Sequence, residues 1–136
     1  MIRDIVRDPL FLSLKSEPAG ETDAPVIADL IDTLKANLDR CVGMAANMIG
    51  VRRRIIVFCD GPMIVPMVNP LIMVKSGPFR AEEGCLSLPG VRQTKRYRRI
   101  TVRYLDRAFR PRTSTFEGWT AQIIQHEIDH CDGILI

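Results

Sequence analysis

Histidine is almost absent from this sequence: among 136 residues there are only two, His126 and His130. A three-histidine metal centre is therefore excluded, and any third side-chain ligand has to be Cys, Asp or Glu. Long hydrophobic runs are missing too. Ile64-Val65-Pro66-Met67-Val68 is typical of the longest, far short of the ~20 apolar residues a membrane-crossing helix needs. Met1-Ile2-Arg3-Asp4 lacks the apolar core of a secretory signal. The expectation is a cytoplasmic domain with no membrane association. Cysteine is too sparse for a disulfide scaffold: Cys41, Cys59, Cys85 and Cys131 are the only four. In a reducing compartment such cysteines point to metal binding or catalysis instead. Internal repeats, linkers and low-complexity stretches are also lacking, so the sequence reads as one domain over residues 1–136.

What is present is an ordinary globular composition, 46% hydrophobic and 26% charged, with a net charge of +3. The charge is uneven. Arg92, Lys95, Arg96, Arg98, Arg99, Arg103, Arg107, Arg110 and Arg112 face a single acid, Asp106, over the 92–112 stretch. The run reads first as the solvated face of a strand and turn. Its second reading is a basic face making transient contact with nucleic acid or the ribosome.

Residues 1–20 read as an irregular lead-in broken by Pro9, Pro18 and Gly20. Val26, Ile27, Leu30, Ile31, Leu34 and Leu38 recur at helical spacing, which predicts a helix from Pro25 to Arg40 capped by Thr22 or Asp23. The small-residue stretch Cys41–Gly50 reads as a tight packing turn or a ligand loop. Arg54–Cys59 is a β-branched run and predicts a buried strand, with Cys59 a core residue. Val65–Met73 predicts an edge or bulged strand because of Pro66 and Pro70. Lys75-Ser76-Gly77-Pro78 reads as a turn, and Glu82–Gly90 as a short extended piece ending in a Pro-Gly turn. Ile100–Asp106 alternates as a half-wet strand, with a hairpin partner over Arg112–Phe116. Gly118 then opens a last helix, with Thr120 a candidate cap and Gly133 a candidate C-terminal stop. The order helix, strands, helix predicts an α+β domain with strands packed around the final helix.

That helix carries His126-Glu127-Ile128-Asp129-His130. Residues four apart share a helical face, so both imidazoles can hold one metal ion. Glu127 points about 100° away, beside the ion and not on it, where a general base would handle an activated water. Cys85 is the best third ligand, because it sits in a Gly-Cys turn and not in a hydrophobic run. Cys131 is turned about 100° from the histidines and is poorly aimed. A thiolate with two imidazoles suits Fe(II), Zn, Ni or Co alike. The chemistry such parts perform is metal-assisted amide hydrolysis.

Three short stretches in order resemble the peptide deformylase family: Cys41-Val42-Gly43-Met44-Ala45-Ala46-Asn47-Met48, Glu83-Gly84-Cys85-Leu86-Ser87 and Gln125-His126-Glu127-Ile128-Asp129-His130. The second and third match the family motifs in full. The resemblance implies an α+β fold of antiparallel strands packed around the C-terminal HExxH helix. It implies removal of the N-formyl group from formyl-methionine of nascent polypeptides, released as formate. It further implies Cys85, His126 and His130 as metal ligands, Fe2+ as the usual metal with Zn2+, Ni2+ or Co2+ able to replace it, Glu127 as general base, and the Leu86 N–H as an oxyanion donor. Val42, Gly43, Glu83, Gly84 and Leu86 match positions around the substrate methionine and its backbone, and Arg96 is the expected partner of Glu83. Asp129 reads as a residue that orients its neighbours, or as a plain surface acid.

Three departures stand out. Met48 replaces the motif glutamine whose amide donates to the oxyanion, and a thioether cannot donate. Asn47 carries an amide one position early and points elsewhere. Cys41 replaces the first motif glycine. The sequence also stops at Ile136 where many relatives continue, so the expectation is that this part is dispensable or that a partner chain in an oligomer covers the edge. The alternatives to an active deformylase are a low-activity or non-catalytic paralogue that retains the metal site, and a metallopeptidase acting on unformylated peptides.

Overall fold

A computed structural model describes residues 1–136. Its centre is a five-stranded antiparallel sheet in simple sequential order: β1 (Gly43–Ala45), β2 (Ile55–Asp60), β3 (Met63–Gly84), β4 (Val91–Leu105) and β5 (Pro111–Glu117). Three helices accompany it: α1 (Pro9–Leu12), α2 (Ala24–Ala36) and α3 (Gly118–Cys131). The sheet is covered on both faces. Along β2, Ile55 and Val57 pack with Ile27, Leu30 and Leu34 of α2, while Ile56 and Phe58 pack with Ala121, Ile124 and Ile128 of α3. Side chains alternate across a strand, so a continuous apolar run is what a strand buried on both faces requires.

Most of the predicted elements are found, with changed ends. The α2 helix stops at Ala36 and not at Arg40, because the Asn37 side-chain amide donates to the Thr33 carbonyl at 2.8 Å and diverts the last turn. Asp23 precedes the helix, but its carboxylate accepts from the Gly20 N–H instead of capping the helix. The lead-in contains the short α1, held by an Asp8 side-chain cap on Leu10 N–H. Of the two readings of Cys41–Gly50, the ligand-lining one fits, since Cys41, Val42, Gly43 and Met48 line the main cleft, though the stretch is not all loop. It forms β1 and a 3-10 helix over Ala46–Ile49.

The strand over Val65–Met73 is far longer than expected, and it is bulged and paired on one side at a time, as an edge or bulged strand would be. Met63 to Met67 pair with β2 only, and Val68 alone pairs with both β2 and β4. Pro70 is tolerated in a bulge between Val68 and Leu71, where Asn69 takes a φ of 52°. The expected turn at Lys75–Pro78 is absent: Lys75 pairs with Ile100, Ser76 with Arg99 and Pro78 with Tyr97. The Gly-Pro signal there records a local adjustment at Gly77, φ 71°, beneath the stem of Arg98. Residues beyond Leu71 pair with β4 alone, and together they run out as a two-stranded ribbon to Gly84 and Val91.

The α3 helix starts after Glu117, which makes no side-chain cap, so Thr120 is not its cap. It ends in a Schellman motif: Ile134 N–H donates to the Asp129 carbonyl and Gly133 N–H to the His130 carbonyl. Gly133 has a φ of 73°, and a β-carbon there would stand 2.4 Å from the Ser13 carbonyl oxygen.

Candidate metal centre and active site

Three elements converge on one cleft of about 770 Å³. The α3 helix brings His126, Glu127 and His130, the end of β3 and its following loop bring Glu83 to Ser87, and β1 brings Gly43. The ligand atoms of Cys85, His126 and His130 lie within 4.8 Å of one another, and Cys85 Sγ is 3.2 Å from His130 Nε2. His130 is fully buried behind the cleft wall, while Cys85, His126 and Glu127 line it. Val42, Gly43, Glu83, Gly84, Leu86 and Met48 line it as well.

A metal ion fits these residues by the chemistry of the donors. One thiol sulfur and two imidazole nitrogens converge from a helix and a loop, a soft and borderline set that excludes Ca2+ or Mg2+. His126 Nδ1 is 2.8 Å from Glu83 Oε1, which commits that nitrogen to the carboxylate and leaves Nε2 for the cluster. Glu83 is itself fixed. Arg96 grips it through Nε and Nη2, the shortest contact being 2.7 Å, and the Gln122 amide donates to it at 2.9 Å. Arg96 also donates to Asp129 at 2.7 Å, so Asp129 braces the arginine and stands off the ligand cluster.

The electrostatics divide the two histidines. Burial disfavours charge on His126, but the Cys85 sulfur and Glu83 carboxylate outweigh it and hold its pKa up at about 10. Burial, with the His126 and Arg96 charges, drives His130 down to about 3. Burial opposes charge on Glu83 as well, yet His126 and Arg96 hold it down at about 2. Burial raises Glu127 to about 7, and its Oε1 has no protein partner. A buried carboxylate poised near neutrality, with one oxygen uncommitted, can accept and return a proton.

Gly43 is what lets Glu127 sit here. A β-carbon at that position would lie 2.8 Å from Glu127 Oε2 and 2.8 Å from Ile123 Cγ2. Met48 is buried at the cleft, and its sulfur accepts the Ala45 N–H at 3.5 Å. Asn47 turns away and donates its amide to the His130 carbonyl at 2.9 Å. Cys41 donates to the Gly43 carbonyl at 2.9 Å, and burial pushes its thiol up to about 12. Cys131 is buried against the sheet, apart from the ligand cluster, and its thiol is likewise pushed up to about 12.

Several residues of the site escaped the sequence reading. Gln122 lies four positions before His126 on the same helical stripe, a spacing that could have revealed it. Gln125 locks α3 to β4: its amide accepts from Tyr97 N–H and donates to Tyr97 C=O, both at 2.8 Å. Arg7 donates to the Leu86 carbonyl at 2.7 Å from 79 residues away, and no local signal could have announced that. Within the 92–112 stretch Arg96 is internal and 4% exposed, while Arg99 and Arg112 pair with Glu117 and Asp106.

The comparisons with known proteins agree with one another. The family model described as Polypeptide deformylase matches residues 2–136. A peptide deformylase of Clostridium beijerinckii is 60% identical over 136 residues, the whole of both chains. The crystal structure of a peptide deformylase from Legionella pneumophila superposes with a TM-score of 0.88 at 38% identity, covering 99% of this chain and 83% of that one. The Met-Ala-Ser-bound class I type b peptide deformylase of Acinetobacter baumannii superposes with a TM-score of 0.86 at 32% identity, covering 99% and 97%.

Proposed function

The chain belongs to the polypeptide deformylase family, and on that premise we propose which of its residues carry the reaction. It is a metal-dependent amide hydrolase that removes the N-formyl group from the N-terminal formyl-methionine of nascent polypeptides and releases formate. In our reading Cys85, His126 and His130 hold the metal, Fe2+ in the native protein, with Zn2+, Ni2+ and Co2+ as substitutes. A bound divalent ion of this kind supplies Lewis acidity, bringing a water's pKa toward neutrality and polarising the formyl oxygen. Glu127 takes the proton of the attacking water at its carboxylate and delivers it to the leaving nitrogen. The Leu86 N–H donates to the developing oxyanion, and Arg7 steadies that loop through the Leu86 carbonyl. Glu83 keeps His126 in one tautomer and orientation. Val42, Gly43, Glu83, Gly84 and Leu86 line the substrate's methionine and main chain.

The observation that supports this most is the convergence of the three ligand atoms within 4.8 Å, next to a buried, unpartnered Glu127 oxygen. Formate release from formyl-Met-Ala tests it, with metal content measured on the same sample. Glu127→Gln is expected to cut turnover by ~10²–10⁴ while metal content stays. Unchanged turnover would remove Glu127 from its role. We place the enzyme in the cytoplasm, where nascent chains are, as a single domain over 1–136. No helix in it is long and apolar enough to cross a membrane. Ribosome contact through 92–112 narrows to its unpaired, exposed members such as Lys95, Arg98 and Arg103.

A further inference from the structure

The direction in which a peptide must leave the cleft follows from β1. This strand has one neighbour, β2. The Cys59 N–H donates to the Val42 carbonyl, so in the antiparallel ladder Val42 and Met44 turn their polar groups toward β2 and Gly43 turns its own toward the free edge. Glu127 lies against Gly43, so the reacting end of a peptide lying on this edge is near Gly43. On the C-terminal side of Gly43 the way is closed, because Met44, Ala45 and Ala46 are at most 1% exposed. On the N-terminal side Cys41 is half-buried, and Val42 and Arg40 are exposed. The residues after the methionine therefore run out past Arg40.

Arg40 lines the cleft at this end, Arg7 lines it beside Leu86, and both are exposed. Their hydrogen bonds go to neutral oxygens: Arg40 donates to the Asn37 side-chain carbonyl at 3.0 Å, and Arg7 to the Leu86 carbonyl. Neither takes part in an ion pair. Asp8, next to Arg7, is committed to the cap of α1. Glu82, one residue before Glu83 on β3, also lines the cleft and is in no ion pair, so two such exposed arginines face one such exposed acid. Two unneutralised guanidiniums at a cleft mouth concentrate positive potential there.

We propose that Arg40 and Arg7 form a cationic exit that makes this enzyme select formyl-methionyl peptides with acidic residues at their third and fourth positions. The selection rests on the deformylase reading and adds to it a preference the reaction itself does not require. The planar fork of a guanidinium matches a carboxylate. The pair acts on capture, so the effect falls on KM more than on kcat.

The test compares formyl-Met-Ala-Glu-Glu-amide, formyl-Met-Ala-Gln-Gln-amide and formyl-Met-Ala-Lys-Lys-amide at low ionic strength. We expect kcat/KM to fall in that order, with about tenfold between the first and last, carried by KM and compressed at high salt. Arg40→Glu should invert the order, which a merely structural arginine would not do, and Arg7→Gln should narrow it. Equal kcat/KM for the three peptides at low salt, or an unchanged order in Arg40→Glu, overturns the proposal. Absence of formate from every peptide would overturn the deformylase reading instead. In that case calorimetric binding of Met-Ala-Glu-Glu-amide against Met-Ala-Lys-Lys-amide still decides the charge selection.

Discussion

Met48 shows how one side chain can do half of another's work. The glutamine that the family motif places there has an oxygen to accept and an amide to donate. The Met48 sulfur accepts the Ala45 N–H at 3.5 Å, so the local backbone stays satisfied, but nothing at this position donates to the reacting oxygen. Met48→Gln should restore the donor without disturbing the acceptor, and raise kcat by up to ~10²–10³. Steady-state deformylation with the variant checks this, and an unchanged kcat would mean that another group already supplies the bond. Gly43 is the complementary case, where a missing side chain is the functional feature. Gly43→Ala would drive a methyl into Glu127 Oε2 and Ile123. It should lower kcat on the order of a hundredfold, as small displacements of a catalytic group do, while metal content is kept. Equal activity in Gly43→Ala would show that Glu127 tolerates displacement.

At the scale of elements, the site depends on α3 being held against the β3–β4 ribbon. Arg96 on β4 does this by gripping Glu83 on β3 and Asp129 on α3 at once. Arg96 and Glu83 side chains are only 4% and 6% exposed, so removing the cation leaves the buried Glu83 carboxylate with His126 and Gln122 alone and takes from Asp129 its arginine. Arg96→Met is expected to cost ~3–5 kcal/mol of stability, read as a lower midpoint in urea unfolding. Arg96→Lys keeps the charge but not the planar fork, and should recover only part of it. A midpoint unchanged in Arg96→Met would show that the pair contributes nothing. The Glu83–Arg96 partnership was expected through the family resemblance alone, and the structure makes it. Its extension to Asp129 was not, because that contact joins two elements 33 residues apart.

Over the whole molecule, two apolar layers share one sheet, and the strand β2 contributes to both through its alternating faces. Neither layer can open without exposing the other side of the same strand, so residues 1–136 should unfold as one cooperative unit. Near- and far-ultraviolet circular dichroism in urea should give coincident transitions, and separated transitions would contradict a single domain. The local patterns alone determined the α2 and α3 stripes, the β2 strand, the part of β4 from Ile100 on and the histidine pair, because helical and strand periodicities are set by neighbours in sequence. They misjudged Lys75–Pro78, where glycine and proline suggested a turn but strand partners far along the chain supplied the hydrogen bonds. The approach of Cys85 to His130, the tautomer that Glu83 imposes on His126, the room Gly43 leaves for Glu127 and the Arg7 bond to Leu86 were decided only by the tertiary structure. Each is a contact between distant residues, and no local pattern encodes where a second element will stop.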